Sequence, residues 1–207
     1  TRKSSPDQVD WRTPSLNPKN LSAVTTIKDQ GSCGSCWSFG ALATVESAHC
    51  INKDQNCDTW LGASEQQLID CSNKDNLNIV PYYNMGCNGG WIDNALYYIL
   101  KNGFIDSYQA YPYVSGTTKT SGETCNANIA NSIGNPSISN CGITTPYDEN
   151  NLMQAVHDVG VIGIAIDASG TGFKLYSSGV YKSKTCLQER LNHAVAVVGY
   201  GSLETDG

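Results

Sequence analysis

The segment Gln30–Trp37 brings a thiol, a side-chain amide and two glycines together within eight residues. A cysteine attacks a carbonyl carbon as its thiolate, and the N-terminus of a helix favours that anion through its free N–H groups and its dipole. Cys36 stands at the start of a helical pattern, and Gln30 carries an amide that can donate to an oxyanion. Gly31 and Gly34 allow a tight turn. The segment is therefore typical of nucleophilic catalysis by a cysteine.

The elements that must position this thiol are helices in the first half of the chain and strands in the second. Apolar side chains at helical spacing predict a helix that starts at Cys36, and a capping box at Ser64–Gln67 predicts a short helix that ends near Cys71. This order favours an α+β protein of two lobes, divided between residues 110 and 135. The other predicted elements are helices over 91–102 and 148–159 and strands over 161–166 and 194–200, the last of them buried.

The composition excludes several classes of function. The 207 residues carry 13 Lys and Arg against 19 Asp and Glu, a net charge of −6. A nucleic-acid-binding protein needs a basic face to displace counterions, so we expect no nucleic-acid partner. The sequence has neither a basic cluster for an anionic membrane nor an apolar run near the ~18 residues of a spanning helix, so we expect no membrane association.

Nine cysteines favour a secreted or vesicular protein held by disulfides, with an odd thiol left over. A zinc site needs two Cys-x-x-Cys knuckles, or one knuckle with paired histidines. Only Cys33 and Cys36 have that spacing, and the three histidines stand apart from one another. We therefore expect no metal and no other cofactor.

Gln30–Trp37 resembles the active-site segment of the papain-like cysteine proteases, whose Cys-Gly-Ser-Cys-Trp signature is an established mark of that family. Further blocks match the family in the same order along nearly the whole chain. Together they identify the sequence as similar to papain and cathepsin L. These blocks are Val9–Arg12, Ser64–Cys71, Gly86–Gly90, Tyr111–Tyr113, and a histidine strand made of Asn192–Val195 and Gly199–Gly201.

The resemblance implies a two-lobed α+β fold with the active-site cleft between the lobes. A helical lobe would span 13–125, and a β-rich lobe would combine 1–12 with 126–207. In the family, an Asn-Ser-Trp-Gly block follows the histidine strand and its asparagine orients the imidazole, but this block does not occur in the sequence. We therefore expect a C-terminally incomplete piece of a longer or processed enzyme, and the activity of the piece by itself stays open.

The resemblance also assigns catalytic and binding roles. Cys36 would be the nucleophile, and His193 would be its base and then the acid that protonates the leaving amine. The Gln30 amide and the Cys36 backbone N–H would form the oxyanion hole. Gly89 and Gly90 would hold an extended substrate backbone, since missing side chains permit close approach. The other implied substrate-binding positions, most of them around an apolar pocket for the second residue before the scissile bond, are Trp91, Ile92, Ala165, Leu191, Asn192 and Ala194.

Plainer interpretations remain for some of these positions. Gly89 and Gly90 also suit an ordinary turn, and Trp91 and Ile92 also suit packing in the core at the start of a helix. Small Ala165 would leave the pocket roomy.

Two long-range disulfides are implied by the resemblance, and short spacing favours a third, local one that the family does not share. Cys141 is either a free thiol or bonded to Cys186, whose family partner would lie in the missing tail. The three expected pairs are Cys33–Cys87, Cys71–Cys125 and Cys50–Cys57.

The leading hypothesis is a cysteine endopeptidase that hydrolyses peptide bonds through a thiol-acyl enzyme. The resemblance implies a monomer made with a propeptide, acting on peptides or proteins, opposed by protein inhibitors, and located in a lysosome, an acidic vesicle or outside the cell. The sequon Asn20-Leu-Ser22 favours glycosylation at Asn20 and the same secretory route. One alternative is a catalytically silent relative that binds peptides or partners. Another is a disulfide-rich structural module in which every thiol is bridged or inert.

Overall fold

The computed structural model describes residues 6–73, 83–120, 124–134, 141–187 and 189–202. In these residues the α-helices are α1 (Cys36–Lys53), α2 (Glu65–Cys71), α3 (Ile92–Asn102), α4 (Ser115–Thr118), α5 (Glu149–Val159) and α6 (Thr171–Lys174). The strands are β1 (Val9–Asp10), β2 (Ile162–Ile166), β3 (His193–Val197) and β4 (Gly199–Tyr200). This order confirms the predicted α+β class. None of the described helices is long and apolar enough to span a bilayer.

Local hydrogen bonds set the helix ends where the sequence predicts them. α1 begins at Cys36. At the start of α2 the Ser64 hydroxyl accepts from the Gln67 N–H at 2.9 Å, which is one half of the predicted capping box. The reciprocal bond is not formed, because the Ser64 N–H donates to the Asp106 carbonyl and the Gln67 side chain bonds Asp106 and Tyr98. The Asp148 carboxylate caps α5 as the Ser64 hydroxyl caps α2. α3 ends at Gly103, whose φ of 80° lies in the left-handed region that favours glycine.

The strand predicted over 194–200 is two strands with different partners. β3 pairs antiparallel with β2, whereas β4 pairs antiparallel with β1 near the start of the chain. Between them, the Val198 carbonyl accepts from the Trp11 N–H at 2.9 Å. A Cβ at Gly199 would collide with the Val9 carbonyl oxygen, so glycine permits the close approach of β1. β3 is half-buried rather than buried, which corrects the sequence prediction.

Two clusters of buried apolar side chains form the core, and α1 contributes to both. Trp37 and Leu42 of α1 belong to the first cluster, which also draws on α2 and α3. Cys50, near the end of α1, belongs to the second cluster together with Trp11 and Val156. α1 therefore lies between a helical core and a core built from β1, α5 and the antiparallel strands β2 and β3. The lobe boundaries stay a prediction.

Candidate active site

Cys36 is the first residue of α1 and carries a half-buried free thiol. The loop before it is held by the Cys33–Cys87 disulfide and by a hydrogen bond from the Gly34 N–H to the Cys87 carbonyl at 3.0 Å. A Cβ at Gly34 would collide with that carbonyl oxygen, so the approach of the two segments requires glycine. The thiol therefore stands at a helix N-terminus on a backbone that is fixed from the other side.

The Gln30 side chain lies against the same loop. Its Nε2 donates to the Cys33 carbonyl at 2.9 Å, and its backbone carbonyl accepts from the Tyr113 hydroxyl at 2.6 Å. A side-chain amide has two N–H donors, so one is used by the loop and the second can serve an oxyanion. These contacts bring the Gln30 amide to the turn that leads into Cys36.

Ser35 occupies the N-cap position of α1 but does not cap the helix with its side chain. Its hydroxyl pairs with the Tyr113 hydroxyl at 2.8 Å, while its carbonyl accepts from the Ser38 N–H at 2.9 Å. The sequence places Gly34 and Ser35 at the cap without foreseeing this partner. The first N–H groups of α1 are thus left without a side-chain cap, which suits a helix end that binds an anion.

His193 opens β3, opposite the last residue of β2. Its half-buried ring lies edge-to-face with Phe173, with the ring centroids 6.4 Å apart. The next residue, Ala194, packs on α1, since a Cβ built at Gly40 would lie 3.5 Å from the Ala194 Cβ. Gly40 is one helical turn after Cys36. Pairing of β3 with β2 therefore brings the histidine strand against the start of the helix that carries the thiol. A Cys36–His193 ion pair stays a prediction.

The carboxylate of Asp167, directly after β2, ties together the segments around the histidine. It accepts from the Ser169 hydroxyl and N–H at 2.6 and 2.9 Å, from the Leu187 N–H at 3.1 Å and from the Asn192 amide at 3.3 Å. The Asn192 amide oxygen accepts in turn from the backbone N–H that follows Asp167, at 2.9 Å. Hydrogen bonds from Ser169 and Leu187 lower the pKa of Asp167 to about 2. Because Asn192 precedes His193, this network fixes the backbone at the histidine.

Gly89 and Gly90 differ in what surrounds them. A Cβ at Gly90 would lie 2.5 Å from the Asn84 Oδ1 and 2.7 Å from the Trp37 ring, so packing excludes any larger residue. Gly89 has a φ of 109°, and no described atom lies within 4 Å of the place where its Cβ would be. Packing therefore requires glycine at position 90 and the backbone conformation favours it at position 89, while their contact with substrate stays a prediction.

The other implied substrate-binding side chains divide into a packed group and an exposed group. Ile92 and Ala194 both pack on Gly40, one turn into α1. Ala165 in β2 is paired with Ala194 in β3. Trp91 and Leu191 are 62% and 53% exposed, so Trp91 is not a core residue. Ile92 also packs against the first core cluster, so the interpretation of Ile92 as a core residue is correct in part.

All nine cysteines lie in the described part of the chain. The thiols of Cys36, Cys141 and Cys186 are free, so the alternative Cys141–Cys186 bridge is not formed. Asn20 is exposed, with a φ of 55°, and its glycosylation stays a prediction. The disulfides are Cys33–Cys87, Cys71–Cys125 and Cys50–Cys57, the same pairs that the sequence analysis names.

A buried charge cluster lies two residues before Gln30. The Lys28 Nζ is 2.6 Å from carboxylate oxygens of both Glu46 in α1 and Glu65 in α2. Burial raises the pKa of Glu65 to about 7, although Lys28 opposes this. The second Glu65 carboxylate oxygen has no hydrogen-bond partner in the described residues. Two carboxylates thus share one ammonium group, and protonation of Glu65 would remove the excess charge.

Sequence reasoning gives no role to three groups beside the site: the Tyr113 hydroxyl, Asp167 and Lys28. Tyr113 belongs to a block that matches the family, but its hydroxyl meets residues about 80 positions earlier in the chain. An acidic residue directly after an apolar strand is a signal that could have drawn attention to Asp167. Within the described ranges, no three His, Cys, Asp or Glu side chains come together as metal ligands would.

Comparisons with known proteins agree with this geometry. The sequence model of the papain family cysteine proteases matches residues 5–206. The chain belongs to this family. It is 40% identical over 195 residues to digestive cysteine proteinase 1 of Homarus americanus, covering 94% of this chain and 53% of that protein. It is 38% identical over 203 residues to procathepsin L of Mus musculus, covering 97% of this chain and 52% of that protein.

Solved structures confirm the papain-like fold. Digestive procathepsin L 3 of the Tenebrio molitor larval midgut matches with a TM-score of 0.80 at 37% identity, covering 99% of this chain and 58% of that one. The ragweed pollen allergen Amb a 11, a cysteine protease in its proform, matches with a TM-score of 0.77 at 35% identity, covering 99% and 54%. The chain spans about half the length of the curated relatives it matches.

Proposed function

We propose that this chain carries the catalytic centre of a cysteine endopeptidase. The observation that carries the proposal is the free thiol of Cys36 at the N-terminus of α1, with the Gln30 amide on the same loop and the His193 strand packed against the same helix. A helix N-terminus favours the thiolate, and an imidazolium from the opposite strand would favour it further. Membership of the papain family supports the same roles.

The reaction follows from these groups. The Cys36 thiolate attacks the peptide carbonyl carbon, and the oxyanion that forms accepts hydrogen bonds from the Gln30 amide and the Cys36 backbone N–H. As the tetrahedral intermediate collapses, the C–N bond breaks and the His193 imidazolium gives its proton to the leaving amine. Water then attacks the thioester, His193 takes a proton from that water, and release of the acid restores the ion pair.

Substrate would bind in an extended form along Gly89 and Gly90. Open space at Gly89 leaves room for another backbone, which suits main-chain hydrogen bonding. Ile92, Ala165 and Ala194 would line an apolar pocket, and the two alanines would leave it roomy. Trp91 and Leu191 would contribute exposed apolar surface at the rim, whereas the Asn192 side chain is already hydrogen-bonded to its own lobe and would act through its backbone.

The names of the relatives favour a setting for this activity. Those proteins are described as digestive proteinases and as procathepsins. We therefore propose that the full-length protein is made as a precursor with a propeptide, that it acts on peptides or proteins as a monomer subject to protein inhibitors, and that it is lysosomal or secreted. Three disulfides are compatible with either oxidising location.

The test is a pair of Cys→Ser variants of the full-length protein, assayed for hydrolysis of peptide amides. Cys36→Ser should abolish turnover and keep the wild-type melting temperature, because the hydroxyl is a far poorer nucleophile of similar size. Cys141→Ser removes another free thiol, which is exposed and has no role in the proposed mechanism, and should leave turnover unchanged. Turnover retained by Cys36→Ser would contradict the nucleophile, and peptide binding without hydrolysis by the wild type would favour the silent relative.

A further inference from the structure

The Tyr113 hydroxyl contacts Gln30, which carries one donor of the candidate oxyanion hole, and Ser35, which directly precedes the other donor. It donates to the Gln30 carbonyl at 2.6 Å and lies 2.8 Å from the Ser35 hydroxyl. A phenol has one proton, so Ser35 must be the donor in the second bond. One hydroxyl therefore holds the backbone that carries the Gln30 amide and also the residue directly before Cys36.

The Tyr113 ring is itself held from several sides. It lies edge-to-face with Phe39 of α1, with centroids 5.1 Å apart. A Cβ at Gly116 would lie 2.8 Å from the ring, and the Gly116 carbonyl accepts from the Ser32 N–H at 2.9 Å. A Cβ at Gly31 would lie 2.7 Å from that same carbonyl oxygen. The turn that begins at Tyr113 is thus fitted closely to the loop before the nucleophile.

The same turn is anchored to α2 through a buried glutamine. The Gln66 side-chain oxygen accepts from the N–H groups of Val114 and Ser115 at 2.9 and 3.0 Å. The Gln66 amide donates to the Ser115 hydroxyl at 2.8 Å. A rigid helix therefore positions the turn, and the turn positions the phenol. Burial raises the pKa of Tyr113, which favours the protonated phenol that donates to the Gln30 carbonyl.

We propose that Tyr113 is a positioning residue for the oxyanion hole, because its hydroxyl fixes the Gln30 carbonyl and so the direction of the Gln30 amide. This inference rests on the proposed peptidase function. Tyr113 touches neither the thiol nor the reacting carbonyl in this account. Its contribution is to fix the backbone from which the Gln30 side chain extends, while the Cys33 carbonyl holds one amide N–H and leaves the second for the oxyanion. Such preorganisation acts on the transition state.

The chain supplies a matched control two residues earlier. Tyr111 is also half-buried, and its hydroxyl donates to the Asp70 carboxylate at 2.7 Å, away from the nucleophile loop. Tyr111→Phe and Tyr113→Phe each remove one hydroxyl with partly buried hydrogen bonds, one bond at Tyr111 and two at Tyr113. A general loss of stability would affect both variants alike, whereas a positioning role belongs to Tyr113 alone.

The experiment measures kcat, KM, melting temperature and the pH profile of Cys36 alkylation in both variants of the full-length protein. Tyr113→Phe should lower kcat roughly 3- to 10-fold, the scale of one hydrogen bond, while KM and the alkylation profile stay at wild-type values. The alkylation profile reports the thiolate and not the oxyanion hole, so it separates the two. Tyr111→Phe should leave kcat within about twofold of wild type, even where it lowers the melting temperature as much.

A double-mutant cycle with Gln30→Ala identifies the route of the effect. Because Tyr113 acts through the Gln30 amide, Tyr113→Phe should lower kcat little further once that amide is gone. Equal kcat losses in the two Phe variants, or effects of Gln30→Ala and Tyr113→Phe that simply multiply, would overturn the positioning role. Failure of the proposed function looks different: Cys36→Ser then retains turnover, or the wild type shows none, and the role of Tyr113 falls with it.

Discussion

The two sides of the candidate site are held in different ways. The nucleophile wall, residues 30–40, is fixed by a disulfide, by glycines packed against carbonyl groups and by a buried helix. The histidine wall, residues 162–167 and 191–197, is a half-buried pair of antiparallel strands held by hydrogen bonds around the Asp167 carboxylate. None of its residues is part of a disulfide. The thiol thus stands on a rigid base, and the histidine is positioned by a polar network that a single substitution can weaken.

Each wall also has its own acidic group, and their environments shift the two pKa values in opposite directions. Behind the nucleophile wall, burial raises the pKa of Glu65 to about 7. On the histidine wall, hydrogen bonds lower the pKa of Asp167 to about 2. Between pH 4 and 6, the range of an acidic vesicle, Glu65 is mainly protonated and Asp167 is ionised. Stability from Glu65 is therefore fullest in acid and falls as the pH rises through 7, whereas stability from Asp167 is kept at every pH above about 4.

The largest effect should come from disturbing the rigid wall. Gly34→Ala would push a Cβ into the Cys87 carbonyl, and a displacement of the loop by about 1 Å can lower a rate about 100-fold. We expect kcat/KM to fall by about that factor, with a loss of roughly 1–3 kcal/mol in the free energy of unfolding. Gly142→Ala is the control, since no described atom lies within 4 Å of its Cβ position. Similar values of kcat/KM in the two variants would show that the nucleophile wall adapts to the added methyl group and is not rigid.

A smaller effect should follow from weakening the histidine wall. Asp167→Asn replaces an acceptor for four donors by an amide, and we expect kcat to fall roughly 10-fold with KM little changed. The lowered pKa means that the folded state favours the carboxylate, so this stabilisation is present above about pH 4 and is lost as the pH falls toward 2. Thermal unfolding between pH 2 and 5 should show that loss in the wild type and not in the variant.

Exposed Asp58 offers the comparison for the histidine wall. Asp58 belongs to neither wall. Asp58→Asn should therefore leave both kcat and the fall in melting temperature between pH 5 and 2 as they are in the wild type. An Asp167→Asn protein with wild-type kcat would mean that packing of β2 and β3 on α1 positions His193 without the hydrogen bonds of Asp167.

The smallest effect on turnover, and a clear one on stability, should come from Glu65→Gln. The raised pKa means that the folded state favours the protonated acid, so the stability of the wild type is fullest below about pH 4.5 and is lost as the pH rises through 7. Wild-type protein should melt roughly 5 °C lower at pH 8 than at pH 5, whereas Glu65→Gln should melt at similar temperatures. Glu149→Gln, an exposed change in the first turn of α5, should keep the wild-type difference. A pH dependence that survives Glu65→Gln would place its origin elsewhere.

The sequence predicts those features of the fold that depend on neighbouring residues. The side-chain cap at Ser64, the stop at Gly103 and the helix start at Cys36 each rest on hydrogen bonds within a few positions. The split of the last predicted strand into β3 and β4 could not be read in this way, because it depends on pairing with β1 and β2 far earlier in the chain.

The site follows the same rule. The identity of the nucleophile loop is visible in eight consecutive residues, and the family resemblance names His193 without any geometry. The Tyr113 hydroxyl and the Lys28 cluster were not foreseen, since each joins segments that only the folded chain brings together. Propensity and spacing carry no information about such contacts, and chemistry at one residue gives no sign of its distant partner.

The proposed ion pair between Cys36 and His193 is tested most directly by the rate of Cys36 alkylation against pH. The measurement uses the full-length protein and its His193→Ala variant, with peptide mapping to separate Cys36 from the exposed thiols of Cys141 and Cys186. We predict rapid alkylation of the wild type down to about pH 4–5, and of the variant only as the pH approaches about 8. Wild-type and variant profiles that coincide, both rising only near about pH 8, would contradict the account.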